Sequence, residues 1–215
     1  MKLNTELYVT AKERWPDSGQ QVIGYQEGEN IVVYQAYNSS IANYAVAHQQ
    51  LGGNSFSYNR MSWIKPNFLW MMYRCGWAEK ENQERVLALW LSKKHLELIL
   101  EQAVFSTFGN GRYESHEAWK QALATKEVRL QWDPDHDPYG QKLNRRAIQL
   151  GLKGDILESF GKEMVSKIED ITDFVKAQKQ YVNNRRLDML QVPVEQVFEI
   201  QNQELCKRIG IVGAV

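Results

Sequence analysis

The sequence predicts an α+β fold: one domain with a mixed, partly antiparallel central sheet surrounded by helices. Two observations carry this. Short β-branched or aromatic runs alternate with amphipathic stretches, and none of the junctions has the regular Gly-rich turn of a Rossmann unit. A chain of 215 residues, 43% apolar and 24% charged, is also long and apolar enough for one sizeable core. No repeat, low-complexity tract or linker divides it, so residues 1–215 read as a single domain. Residues 1–20 form an N-terminal arm or short helix, and 191–215 a tail packed on the domain.

The elements follow in order. IVVYQAY (31–37) reads as a buried strand after the turn-like EGEN. Residues 39–50 read as a helix with Ile41, Tyr44, Ala45 and His48 on one face, stopped by Gly52-Gly53. Met61 to Ile64 reads as a short strand. Pro66 suits the first position of a helix to Cys75, with Gly76 just past its end. That helix is apolar on nearly every side and belongs in the middle of the fold. Val86–Leu91 reads as a strand and Lys93–Ala103 as a helix with Leu96, Ile99 and Leu100 inward. Ser115 caps a helix over 116–124. Val128–Trp132 and Ala147–Leu152 read as strands, and 154–167 and 172–186 as helices. From Val192 on, the chain reads as irregular, with a short helix.

Composition excludes several classes. Lys plus Arg and Asp plus Glu both number 26, so no global charge draws the chain to nucleic acid or anionic lipid. Two distant cysteines, Cys75 and Cys206, argue against a disulfide framework or a cysteine zinc site. MKLNTELYVTAKERW lacks the apolar core of a signal peptide, and no run is long enough to span a membrane. The expectation is a cytoplasmic protein without a membrane partner.

Three groups of residues could carry chemistry. Lys65, just ahead of the Pro66 helix, and Arg60 upstream of it suit a phosphate or carboxylate at a helix N-terminus; a surface lysine is the bland alternative. On VRLQWDPDHDP, alternation sends Arg129, Gln131 and Asp133 to one face, and a break at Pro134 leaves a carboxylate at the end of the sheet. Gln35 and Gln149 lie inside apolar strands, where an amide needs a partner in the core or a ligand. Tyr34 and Tyr37 are similarly ambiguous. Asp133, Asp135 and Asp137 have the spacing of a calcium loop, but Pro138 and Asn144 stand where glycine and a bidentate glutamate are required. No metal is expected, and His136 reads as part of a solvated turn. GIVGAV at the C-terminus has no helix after it and is not a dinucleotide loop.

IVVYQAY, RMSWIKPNFLWMMYRCGW and VRLQWDP, followed by RRAIQLGL and IEDIT, resemble the microbial family catalogued as domain of unknown function 4291 over nearly the whole chain. The order of strands and the late Gln-x-acid element also look like ADP-ribosyltransferases. That likeness implies NAD as the donor, bound by Tyr34 and Gln35 on the first strand and by Arg60 and Lys65 at the diphosphate. Ser62, Gln131 and Asp133 would be the catalytic set. The function so implied is NAD- or nucleotide-dependent transfer to an unknown protein or nucleic-acid acceptor. A non-catalytic module for a nucleotide or nucleic-acid end, and a protein-interaction domain, are the alternatives.

Overall fold

A computed structural model describes residues 3–109 and 112–211. The chain begins with β1 (Thr5–Leu7), α1 (Tyr8–Arg14), β2 (Gly19–Gln20), β3 (Ile23–Glu27) and β4 (Asn30–Tyr37). Then come α2 (Ser39–His48), β5 (Ser62–Ile64), α3 (Phe68–Cys75), β6 (Arg85–Ser92), α4 (Lys93–Glu101), β7 (Ala103–Phe105) and α5 (His116–Thr125). The rest is β8 (Val128–His136), β9 (Lys142–Leu152), α6 (Gly154–Ser159), β10 (Val165–Asp170), α7 (Thr172–Asn183), β11 (Gln191–Pro193), β12 (Glu195–Val197) and α8 (Gln203–Ile209).

These elements make an α+β domain with two five-stranded sheets in place of one central sheet. The first, ordered β10-β6-β4-β3-β12, is antiparallel throughout. The second, ordered β2-β9-β8-β7 with β5 also on β9, is mixed: β2 and β7 run parallel to their neighbours. One backbone bridge joins them. Tyr34 N–H donates to Lys65 O at 2.7 Å, and Lys65 N–H donates to Tyr34 O at 3.2 Å. One apolar cluster draws Val33, Leu87 and Leu89 from the first sheet together with Leu130, Leu150 and Leu152 from the second. The other, with Val32, Tyr34, Phe68, Met71 and Val175, lies on the reverse of the first sheet under α3 and α7.

Local chemistry sets most boundaries. Asn38 Oδ1 caps α2 by accepting from Ile41 N–H at 3.0 Å. That helix ends one turn before the glycines, at Gln49 with φ 54°. Its buried residues are Ala42 and Ala45, so the inward face is shifted from the expected one. Tyr44 instead lies on Gly53, where an added Cβ would come within 2.7 Å of its ring, and His48 stacks on Tyr44 at 4.0 Å. Leu96, Ile99 and Leu100 face inward on α4, and Ser115 caps α5, both as expected.

The segment 154–167 departs from the helix expected of it. The helix widens into a π turn over Phe160–Met164 and gives way to β10, whose Ile168 backbone is held on both sides by the Gln49 amide. β8 also runs through Pro134, with a register shift before His136. Past Leu130 it has lost its β7 neighbour, and an edge tolerates a proline. Cys75 and Cys206 are free and buried. Among the described residues no helix is long and apolar enough to cross a membrane. Of GIVGAV, residues 212–215 lie outside the described residues.

Helix α3 begins two residues later than Pro66 suggests. Asn67 is its cap, accepting from Trp70 N–H at 2.7 Å, and Gly76 with φ 60° ends it. The buried Glu195 carboxylate accepts from Phe68 N–H at 2.7 Å and from Asn67 Nδ2 at 3.2 Å. The positive end of the helix is therefore already filled by an acid of the same chain. Burial holds the Glu195 carboxyl well above the usual carboxylate range, with the Tyr34 ring alongside it. Glu195→Ala strands both donors inside the protein. It should lower the unfolding free energy by about 2–3 kcal/mol, read as a lower midpoint in urea; an unchanged midpoint would show that the helix end needs no acid.

Candidate functional site

Alternation on β8 puts Val128 and Leu130 into the apolar core and turns Gln131 and Asp133 to the opposite face. Register then aligns polar residues across the sheet. Gln131 pairs with Gln149 on β9. Continuing β5 one residue past the Ile64–Leu150 pair sets Lys65 opposite Gln149. Ser106, one residue past β7, donates its hydroxyl to Gln131 Oε1 at 3.4 Å. A row of Ser106, Gln131, Gln149 and Lys65 thus crosses the second sheet, with Asp133 beside it. Asp133 accepts from Gln131 Nε2 at 2.8 Å and from Gln149 Nε2 at 2.7 Å. Both carboxylate oxygens are fixed by amides, and neither amide carries a compensating charge.

Lys65 is the most unusual group of the row. Only 4% of it is exposed. Its ammonium donates to the Trp63 carbonyl at 2.9 Å, and among the described residues no carboxylate lies within ion-pairing distance. Burial pushes its pKa down to about 7, the Arg74 guanidinium pushes further the same way, and Cys75 and Asp133 pull back. The ammonium is therefore poised between charged and neutral near neutral pH. Two more side chains wall this face: over Gly151, where an added Cβ would lie 2.7 Å from Met61 Sδ and 3.0 Å from the Trp63 ring.

The structure thus brings Lys65, Gln131 and Asp133 together and distributes the other expected residues elsewhere. Ser62 pairs with Leu152 and faces the apolar core. There Gln35 Nε2 donates to Ser62 Oγ at 2.5 Å, and the Tyr37 hydroxyl donates to Gln35 Oε1 at 2.5 Å. That trio tacks β4 to β5 on the side away from Asp133. Tyr34 is fully buried and packs edge-on against Phe68 at 5.6 Å. Arg60 is exposed in a turn after Ser57, and the cation felt by Lys65 is Arg74. Lys65 itself sits one residue past β5, in a backbone bridge to Tyr34, and not at the N-terminus of α3.

The DPDHDP stretch is not a solvated turn. Asp135 is buried and accepts from Arg145 Nε at 2.6 Å, though burial still raises its pKa. His136 is also buried, stacked on Tyr73 at 3.6 Å and on Trp70 at 5.3 Å, and burial holds it toward the neutral form. Among the described residues no cluster of three His, Cys, Asp or Glu side chains could hold a metal ion.

Gln149 was ambiguous in the sequence and is central here. Arg74, in the last turn of α3, has the sign the helix dipole favours, and tertiary proximity to Lys65 gives it further weight. The family described as "Domain of unknown function (DUF4291)" matches over residues 21–198, which include every residue of the row. No curated protein matches the chain.

Lys65 makes the site costly to the fold, and the sign is fixed. Its folded pKa is depressed, so the penalty is fully present below about pH 7, shrinks as pH rises and vanishes above the unfolded value. Lys65→Met, which removes the charge, should be more stable than the wild type at neutral and lower pH. The wild type should close that gap between pH 7 and the unfolded pKa by up to about 1.4 kcal/mol per pH unit. Urea unfolding of both proteins across this range tests it, and a gap independent of pH would contradict a buried, titrating ammonium.

Proposed function

The chain belongs to the DUF4291 family, whose description names no reaction, and from its polar row we propose that it binds a nucleotide-type anion and transfers ADP-ribose from NAD. The observation that carries this is the enclosed Lys65 ammonium, which has one backbone acceptor and stands beside a carboxylate fixed by two amides. A ligand phosphate gives that ammonium the counter-charge its surroundings lack. NAD fits the donor set in three respects. Lys65, with Arg74 nearby, supplies positive charge for the diphosphate; the half-buried Trp63 offers a ring; Asp133 offers a fixed negative charge.

In this reading the bond between the nicotinamide nitrogen and its ribose carbon breaks, and nicotinamide leaves with the bonding electrons. The sugar carbon gains positive charge, which Asp133 stabilises because its orientation is set before the reaction starts. An acceptor nucleophile bonds to that carbon and gives up its proton. Gln131 and Gln149 hold the carboxylate and do not themselves react. Ser62 and Gln35 brace the strands from the other side, and Arg60 stays available at the surface.

A second reading, a module that binds the nucleotide without reacting, is favoured by that placement of Ser62 and Gln35, which leaves Asp133 without a bracing hydroxyl from β5. Asp133→Asn separates the two. Under the transfer reading it lowers turnover of NAD at least about 100-fold while ADP-ribose still raises the melting temperature. Under the binding reading the wild type releases no nicotinamide at all.

Both readings require ADP-ribose or NAD to raise the melting temperature of the wild type, as any ligand of the native state does, and Lys65→Met to remove that shift. Affinity should be steady below about pH 7 and fall by up to about tenfold per unit above it, because a neutral Lys65 must then take up a proton on binding. A screen in which no adenine nucleotide, NAD or ADP-ribose shifts the wild type would overturn both and leave a protein-interaction domain.

A further inference from the structure

We propose that the groove along the edge strand β7 binds single-stranded nucleic acid. The cavity there measures about 520 Å³. Four cations line it: Arg112, Lys126 at the end of α5, and Lys207 and Arg208 on α8. The one carboxylate on its wall is Glu101. Arg112, Lys126 and the adjacent pair Lys207 and Arg208 come from three separate segments of a chain with zero net charge, and the fold gathers them. The dipole of α8 accounts for Lys207 and Arg208 in its last turn, and Arg208 also donates to the Glu101 carbonyl at 2.9 Å. The dipole of α5 accounts in the same way for Lys126 at its C-terminal cap, and Arg112 reaches the same cavity from a third segment.

Aromatic rings adjoin the charges. The Arg112 guanidinium lies 3.9 Å from the centre of the Phe105 ring. The Phe105 carbonyl accepts from Trp119 Nε1 at 2.9 Å, and its N–H donates to the Tyr113 hydroxyl at 3.1 Å. These bonds close the strand edge to another β-strand, so the groove offers side chains and not backbone pairing. Trp119 in turn packs with His116 at 5.2 Å, and Phe108 meets both, at 5.1 Å from His116 and 5.9 Å from Trp119. Phe108 is 38% exposed, an apolar ring at the surface one ring beyond Trp119, whose indole is bonded to the Phe105 carbonyl on the groove wall. Cations that follow a phosphate backbone and rings on which bases stack are the two requirements for single-strand binding. A duplex offers no free base faces to those rings. Ser106, the next residue after Phe105, turns to the opposite face and donates to Gln131.

The test is fluorescence anisotropy with a labelled mixed-sequence single strand of about twelve nucleotides, titrated with the full chain. Binding is expected to weaken with salt with a log–log slope of about −3, the value for four phosphate contacts on a single strand. A variant with Arg112, Lys126, Lys207 and Arg208 changed to Ala should lose binding beyond detection. Phe108→Ala, which leaves the charge unchanged, should weaken binding about tenfold. Both changes are at the surface, and circular dichroism checks that each variant is folded. No binding by the wild type at low salt, wild-type affinity in the folded four-site variant, or equal affinity for poly-glutamate or for the duplex would each overturn the proposal. An ADP-ribose shift that persists in the four-site variant shows that failure of the groove leaves the Lys65 site standing.

Discussion

Both backbone groups of Lys65 are committed to Tyr34, and its neighbour Ile64 is committed to Leu150. Those bonds splice the two sheets along one short segment. They also fix where the Lys65 side chain must go: onto the face shared by α3, Gln149 and Asp133, away from water. A long, charged side chain usually escapes burial by extending to the surface. Here the direction of the strand denies that route, and the fold carries an ammonium that its surroundings push down to about 7. The polar row, the fixed carboxylate and the wall of Met61 and Trp63 all depend on this splice.

Helix α3 is held to the same junction by a different means. Its apolar residues Phe68, Leu69, Met71 and Met72 are buried, and its N-terminus closes on Glu195 from β12, near the other end of the chain. Arg74, in its last turn, then lies close enough to depress Lys65 further. Two positive groups near one another and only partly balanced by Asp133 create a local demand for an anion in a protein with no net charge. Filling the helix N-terminus with Glu195 also keeps any ligand phosphate off that end, which leaves the side chains of the row to bind it.

Much of this was legible in the sequence. The strand IVVYQAY, the buried helix ended by Gly76, and the opposed faces of VRLQWD follow from periodicity and residue type, and each stands near its expected place. Lys65, Gln131 and Asp133 could be singled out because polar groups in apolar surroundings need a reason. What sequence spacing could not supply was register. Ser62 and Lys65 are three residues apart, yet one faces the core and the other the polar row, because side chains on a strand alternate. Gln149 and Arg74 become meaningful only through β8–β9 pairing and the packing of α3. Short strands such as β3, β10 and β12 gave no clear pattern, since their stability comes from neighbours far along the chain. The DPDHDP stretch misled for a related reason: Arg145, ten residues beyond Asp135, converts an apparent solvated turn into a buried ion pair.

The account stands on an ammonium that is buried, titrates near neutrality and meets an anion. Heteronuclear NMR of labelled lysine side chains reads this directly, by following the Lys65 resonance against pH with and without ADP-ribose and assigning it by its loss in Lys65→Met. The account predicts a midpoint near 7 in the free protein and a clear upward shift when ADP-ribose is present. A midpoint at the ordinary lysine value, or one that ADP-ribose does not move, would contradict it.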